Sequence, residues 1–354
     1  MSTQYLVSVA HRDCHESDIF SICCSQYGVF TTSGDGSIKF WTYRHPADIN
    51  TNPADGATVA GKGSKLESND SKLGYHHLGI SPNQQFLGAA SFTGALQLFA
   101  ISAPADDTKP PKLSSILSPD DSPMKECIEN YVWAFQLAEY DLGHDSGSLP
   151  ILAVITVDHQ LTVFDLEEGS QIASWSVKSK DSRKGYPICL DVSPSLGLVA
   201  VGDDDGTVHV YSLHTGRSLL SLTGISRKAI RSIKFSPDGT QIAVAGDAGS
   251  ISIYDVKDAA GEQVALLNGH GSDTWVFSLD WSSSGDYLLS GGYDGNIKIW
   301  DARTTECIAT HSEADHSSAI FSLQWTPIGP RRSYQGFVAA GSDMTLRIYR
   351  LAGQ

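Results

Sequence analysis

One unit recurs seven times along the chain, and no other feature of the sequence restricts the fold as strongly. Its mark is a tight turn, often Asp-Gly, then alternating apolar residues ending in an aromatic, as in Ser33-Gly34-Asp35-Gly36-Ser37-Ile38-Lys39-Phe40-Trp41. This reads as a turn opening into a strand. The terminal aromatic falls at Trp41, Phe99, Phe164, Tyr211, Tyr254, Trp300 and Tyr349, at intervals of 43 to 65 residues. Six residues before each stand Asp35, Thr93, Asp158, Asp205, Ala248, Asp294 and Asp343, so five of the seven positions hold Asp in one register. A second strand pair is legible upstream of the turn, most clearly in Val276-Phe277-Ser278-Leu279-Asp280-Trp281 and Tyr287-Leu288-Leu289-Ser290 around Ser284-Gly285-Asp286. Each unit therefore supplies three or four antiparallel strands. Repeats of about 40 to 50 residues built this way are propeller blades, set radially around an axis.

The seventh unit provides strands near 319 to 325, 336 to 340 and 345 to 350, one too few for a blade of four. The alternating segment Tyr5-Leu6-Val7-Ser8-Val9-Ala10 can supply the missing strand and leave no sheet edge open. The expected fold is all-β, a single seven-bladed propeller over residues 1–354 with the N-terminal strand in the last blade. Residues 45 to 72, 102 to 128 and 141 to 149, rich in Asp, Ser, Pro, Gly, Asn or Lys, read as loop insertions and not as domains.

Composition narrows the functional classes. Only 18% of residues are charged and 41% are hydrophobic, which excludes a disordered chain. Apolar runs fall short of the roughly 20 residues of a membrane span. A net charge of −15, with no dense Lys/Arg cluster, argues against direct nucleic-acid binding. Six cysteines without CxxC spacing, and no apolar signal region, fit a reduced intracellular compartment.

Trp300-Asp301, Asn268-Gly269-His270 and Ser236-Pro237-Asp238-Gly239 give the chain, over nearly its whole length, a resemblance to the WD-repeat family. In that family a His, a Ser or Thr, the turn Asp and the Trp form a hydrogen-bonded tetrad that pins each blade. The resemblance implies two whole tetrads here, His15, Thr31, Asp35 and Trp41, and His270, Ser290, Asp294 and Trp300. Repetition of the His/Asp pair around a ring points to scaffolding and not to acid/base catalysis.

In a propeller, function is carried by the surface at the channel rims. The apolar spacing of Val276, Leu279 and Trp281 breaks the period of two and predicts a bulge near the start of the innermost strand. Aligned units place Phe20, His76, Trp133, Ile188, Arg231, Phe277 and Phe321 at this position, with Asp18, Tyr186 and Trp275 two residues before it in their own units. Phe277 and Phe321 read as packed between blades, whereas Trp133 and Trp275 read as exposed. Asp18, Phe20, Trp133, Tyr186, Arg231 and Trp275 are the candidate protein-binding residues of the top face, with a composition suited to peptide recognition.

A narrower resemblance, carried by His15-Glu16-Ser17-Asp18-Ile19-Phe20-Ser21, Ala229-Ile230-Arg231-Ser232-Ile233-Lys234-Phe235-Ser236-Pro237, Thr274-Trp275-Val276-Phe277-Ser278-Leu279 and Gly292-Tyr293-Asp294-Gly295, is to WD-repeat subunits of superkiller complexes. It implies a non-enzymatic scaffold joining a tetratricopeptide-repeat protein and a helicase, in support of 3'-to-5' mRNA decay by the cytoplasmic exosome. It also implies a role in meiotic recombination beside a break-forming protein, a cytoplasmic location with a nuclear pool, and partners gripped through a Gln-Arg-x-x-hydrophobic motif. No cofactor and no catalytic residues are expected. Two other readings stand beside it. Trp300-Asp301-Ala302-Arg303 matches the short WDxR box of cullin-type ubiquitin ligase receptors. A propeller can also host an enzyme site in its channel, although no phosphate loop, GxSxG elbow or metal-ligand spacing is present.

Overall fold

The computed structural model describes residues 5–43, 64–68, 73–104, 110–116, 124, 127, 132–141, 148–177, 185–222, 227–257, 261–312, 318–328 and 336–352. These form seven four-stranded antiparallel sheets arranged as the blades of a ring. Counted along the chain, their innermost strands are Ile19–Cys24, Tyr75–Ile80, Val132–Asp141, Pro187–Ser193, Ile230–Phe235, Val276–Trp281 and Ile320–Trp325. Six blades use four consecutive strands. The seventh takes Ile320–Trp325, Gly336–Gly341 and Leu346–Leu351 and adds Tyr5–His11 outermost, as the repeat arithmetic predicts.

Blades hold to one another through two kinds of contact. Apolar clusters lie between neighbouring sheets, as where Ile22, Cys24 and Trp41 of blade 1 meet Val338, Ala340 and Ile348 of blade 7. On the channel side, alternate N–H groups of each innermost strand point away from their own sheet and need acceptors. Side chains of the preceding blade supply them. Ser21 Oγ accepts from Leu78 N at 3.0 Å, Ser232 from Leu279 at 3.1 Å and Ser322 from Ile22 at 3.1 Å. One tier below, Asp191 accepts from Phe235 N at 2.8 Å, Asp280 from Trp325 N at 2.7 Å and Gln324 from Cys24 N at 2.7 Å. The bonds to Ile22 and Cys24 join the seventh blade to the first and seal the ring.

The repeated turn has one backbone requirement. Its last residue has positive φ in all seven units: Gly36, Gly94, Gly206, Gly249 and Gly295, but His159 (66°) and Met344 (56°) in the other two. Glycine fills this position freely, whereas a side chain there costs about 1 to 2 kcal/mol.

The ranges read as insertions contain some blade structure. The outermost strands of blades 1 and 2, Ser64–Ser68 and Lys112–Ser115, fall inside 45–72 and 102–128. Both are short and polar, and Lys112–Ser115 is largely exposed, so neither needs the apolar alternation by which inner strands are recognised. Around the third range, strands reach to Asp141 and restart at Ser148, and 142–147 lie outside the described residues, as does most of the rest of the other two. Among the described residues no helix is long and apolar enough to cross a membrane.

Candidate functional site: the top rim of the channel

Both expected tetrads are assembled with hydrogen-bond geometry. In blade 6, His270 Nδ1 lies 3.1 Å from each Asp294 oxygen, His270 Nε2 lies 2.7 Å from Ser290 Oγ, and Trp300 Nε1 donates to that Oγ at 2.8 Å. The directions follow from the chemistry. Indole can only donate, so the hydroxyl gives its own proton to Nε2, and Nδ1–H is left for the carboxylate. Blade 1 repeats the chain, His15 to Asp35 at 2.9 Å, His15 to Thr31 at 2.8 Å and Trp41 to Thr31 at 3.0 Å. Burial works to raise the Asp35 and Asp294 carboxyls, but the bonds from His15 and Ser37, and from His270 and Asn296, outweigh it and hold both below the usual range. Both imidazoles are buried, so these groups brace the blades and offer no reactive atom to solvent.

The bulge occurs in all seven blades, and in each the register slips at the aligned residue: Phe20, His76, Trp133, Ile188, Arg231, Phe277 and Phe321. The extra residue leaves the ladder and turns its side chain to the channel mouth. Five of the seven are aromatic, and they do not stand apart. From Trp133 a path of touching rings runs through His76 (5.7 Å between centroids), Phe92 (5.1 Å), Phe20 (5.1 Å), Phe321 (5.4 Å), Phe277 (5.1 Å) and Trp275 (6.0 Å) to Tyr293 (6.0 Å). This arc crosses blades 3, 2, 1, 7 and 6. Trp133 and Trp275 each leave 44% of their surface exposed, and Tyr293 64%. Phe20, Phe277 and Phe321 are half-buried in the arc. His76 belongs to it as a neutral ring, since burial lowers its pKa to about 4.

The remaining candidates are placed differently. Tyr186, 56% exposed, lies off the arc and stacks on His159 at 6.0 Å, while its N–H donates to Asp204 at 2.7 Å. Arg231 is already engaged: Nε and NH2 bond the two oxygens of Asp247 at 2.7 and 2.9 Å, and the guanidinium lies 5.1 Å from the Trp275 ring centre. Arg231 thus braces Trp275, with its charge matched by Asp247. Asp18 is half-buried two residues before Phe20, and its backbone carbonyl accepts from Gly34 N at 3.2 Å. Asp247, Phe92 and Tyr293 are not among the rim candidates read from the sequence. They share one register position, immediately before the turn Asp, which also carries Gly34, Val157, Asp204 and Ser342. Reading the repeat one residue earlier finds them all.

Arg303, the last residue of the WDxR match, is exposed in a hairpin turn at the far end of the blade from this rim, where its N–H donates to Asp301 at 2.9 Å. Among the described residues no group of three His, Cys, Asp or Glu is placed to hold a metal ion.

Comparison with known proteins agrees with this geometry. The family model "WD domain, G-beta repeat" matches residues 6–42, 261–301 and 305–350, and "Anaphase-promoting complex subunit 4 WD40 domain" matches 190–261. The chain is 27% identical over 351 residues to the antiviral protein SKI8 of Saccharomyces cerevisiae, covering 88% of this chain and 83% of that protein. It is 29% identical over 354 residues to the meiotic recombination protein rec14 of Schizosaccharomyces pombe, covering 99% of each. A cell division cycle 20.1 protein of Arabidopsis thaliana, a cofactor of the APC complex, is 27% identical over 209 residues, 58% of this chain and 43% of its own. With seven blades, the tetrads and these matches in hand, the chain belongs to the WD40-repeat β-propellers and is related to the SKI8- and rec14-like proteins among them.

Proposed function

We propose that this WD-repeat scaffold acts as the propeller subunit of a superkiller-type complex and docks short segments of its partners on the aromatic arc of the top rim. The observation that carries the docking surface is the unbroken path of rings from Trp133 to Tyr293 with exposed Trp at two points. Rigid aromatics offer large apolar area at small entropic cost and are enriched where peptide anchors bind. Asp18, next to the arc, offers a carboxylate to an incoming Arg and so a means of fixing register. Similarity to SKI8 and rec14 along most of the chain supports the choice of assembly. In this reading the partners are a tetratricopeptide-repeat scaffold and a helicase serving 3'-to-5' mRNA decay in the cytoplasm, with a meiotic break-forming protein as a second client in the nucleus. The propeller itself performs no catalysis and touches neither nucleic acid nor membrane.

Affinity purification of the full chain from its native cell tests this. The repeat scaffold and helicase co-elute with the wild type and are lost together from a Trp133→Ala, Trp275→Ala double variant of unchanged melting temperature. Co-elution of a ligase adaptor, abolished by Arg303→Ala, would replace this reading by the receptor one.

A further inference from the structure

Beneath the rim the channel continues as a cavity of about 420 Å³ whose wall changes character with depth. Its mouth is formed by Phe20, Trp133, Phe277 and Phe321, and its floor presents Gln136, Lys234, Asp280 and Gln324. Mouth and floor lie three residues apart along each inner strand, about 10 Å. The floor charges do not cancel. Lys234 Nζ lies 3.1 Å from Asp191, which leaves Asp280 as the surplus carboxylate. Asp280 accepts the Trp325 N–H at 2.7 Å and a second backbone hydrogen bond from Trp281, both neutral donors, whereas an ionised carboxylate has about four acceptor sites. Burial, with Asp191 nearby, outweighs the pull of Lys234 and raises Asp280 to about 7, as expected of a carboxylate short of positive charge.

We propose that this cavity is a socket for one long cationic side chain, Arg or Lys, whose apolar stem passes the aromatic mouth and whose charged head meets Asp280. Both halves of the fit have a physical basis. Aromatic faces attract a cation as it enters, and Arg231 over Trp275 shows the same contact at this rim. A stem of three or four methylenes is content against apolar walls while its head seeks a polar site, and here that site is a carboxylate in place of water. The proposal rests on the docking reading only for the source of the side chain.

The socket can be probed without any partner. The full chain is titrated with n-butylguanidinium chloride, n-butylammonium chloride and n-butanol at fixed ionic strength, with binding read by ligand-observed NMR and calorimetry. At least one cation is expected to bind saturably in the millimolar range, and n-butanol at least tenfold more weakly. Asp280→Asn should weaken the cation at least tenfold, while Glu262→Gln, which removes a carboxylate from an exposed outer strand, should leave it unchanged. The better cation assigns the socket to Arg or to Lys. No saturable binding, equal binding of n-butanol, or equal affinity in Asp280→Asn would overturn the proposal. Should Asp280→Asn fail to fold, Phe321→Leu keeps apolar bulk without a π face and should cost severalfold in cation affinity, and an unchanged value would be equally fatal. Either failure leaves the co-elution result with Trp133 and Trp275 untouched, so the two readings fall separately.

Discussion

Asp280 and Asp294 are both partly enclosed carboxylates, yet protonation acts on them in opposite directions. Asp294 is held below its ordinary value by His270 and Asn296, so its stabilising contribution is present above the usual carboxylate range and is lost as pH falls through the folded value. Replacing it with Ala leaves His270 and Asn296 without their acceptor, and the expected loss is about 1 to 3 kcal/mol in chemical denaturation, with no selective loss of binding. Asp280, raised to about 7, binds its proton more tightly in the folded chain. Its contribution is therefore full below the unfolded value of 3.8 and is lost as pH rises through 7. His76 and His77, lowered by burial to about 4 and 3, push the other way below the ordinary imidazole value, so the wild-type curve alone mixes these effects. The difference between Asp280→Asn and wild type separates them. Asn can still accept the Trp325 N–H, and the melting temperature of the variant should gain on that of wild type between pH 5 and 7 and level off by about pH 8. A constant difference would mean that Asp280 stays ionised throughout.

At the scale of the strand, the bulge and the closing segment show what the sequence reveals and what it hides. Seven slips of register at one aligned position were foreshadowed by the broken alternation of Val276, Leu279 and Trp281, because a buried strand must keep its apolar residues on fixed faces. Outermost strands obey no such constraint, and Ser64–Ser68 and Lys112–Ser115 accordingly read as loop. The rim was legible as a set of positions but not as a connected surface. Ring-to-ring contact depends on which residues neighbouring blades bring together, and Phe92 and Tyr293 enter it from a different strand end than Phe20 and Phe277. Arg231 was legible as a rim cation, whereas its match with Asp247 required the fold. Closure offers a graded test. Tyr5 is buried against Trp325 and Phe337, with ring centroids at 5.8 and 5.4 Å, while Leu6 beside it is exposed. Tyr5→Ala should cost about 3 kcal/mol and Leu6→Ala less than about 0.5 kcal/mol by denaturant titration. Deletion of residues 1–10 should open the edge of Leu346–Leu351 and cause aggregation, visible in light scattering, and a stable monomer would contradict this closure.

For the molecule as a whole, the arc makes the top face a composite of five blades, so affinity should respond to residues far apart in sequence and little to the loops between strands. Trp133→Ala and Trp275→Ala should each cost on the order of 2 kcal/mol, about thirtyfold in Kd, against a Gln-Arg-x-x-hydrophobic peptide in calorimetry. Changes within residues 45–63 should leave the value where it is. Equal affinity in wild type and both Trp variants would place the docking face elsewhere.

The seam between the seventh blade and the first also sets a schedule. Ser8 Oγ bonds the carbonyl of Ile348, a residue made 340 positions later. At ribosomal rates of about 5 to 20 residues per second, the first strand waits roughly 20 to 70 s for its partner to be synthesised. Over that interval the contact between Phe20 and Phe321, which carries the arc across the seam, does not yet exist. Any partner that needed the complete arc would therefore bind only after residue 321 had been made and folded against the first blade.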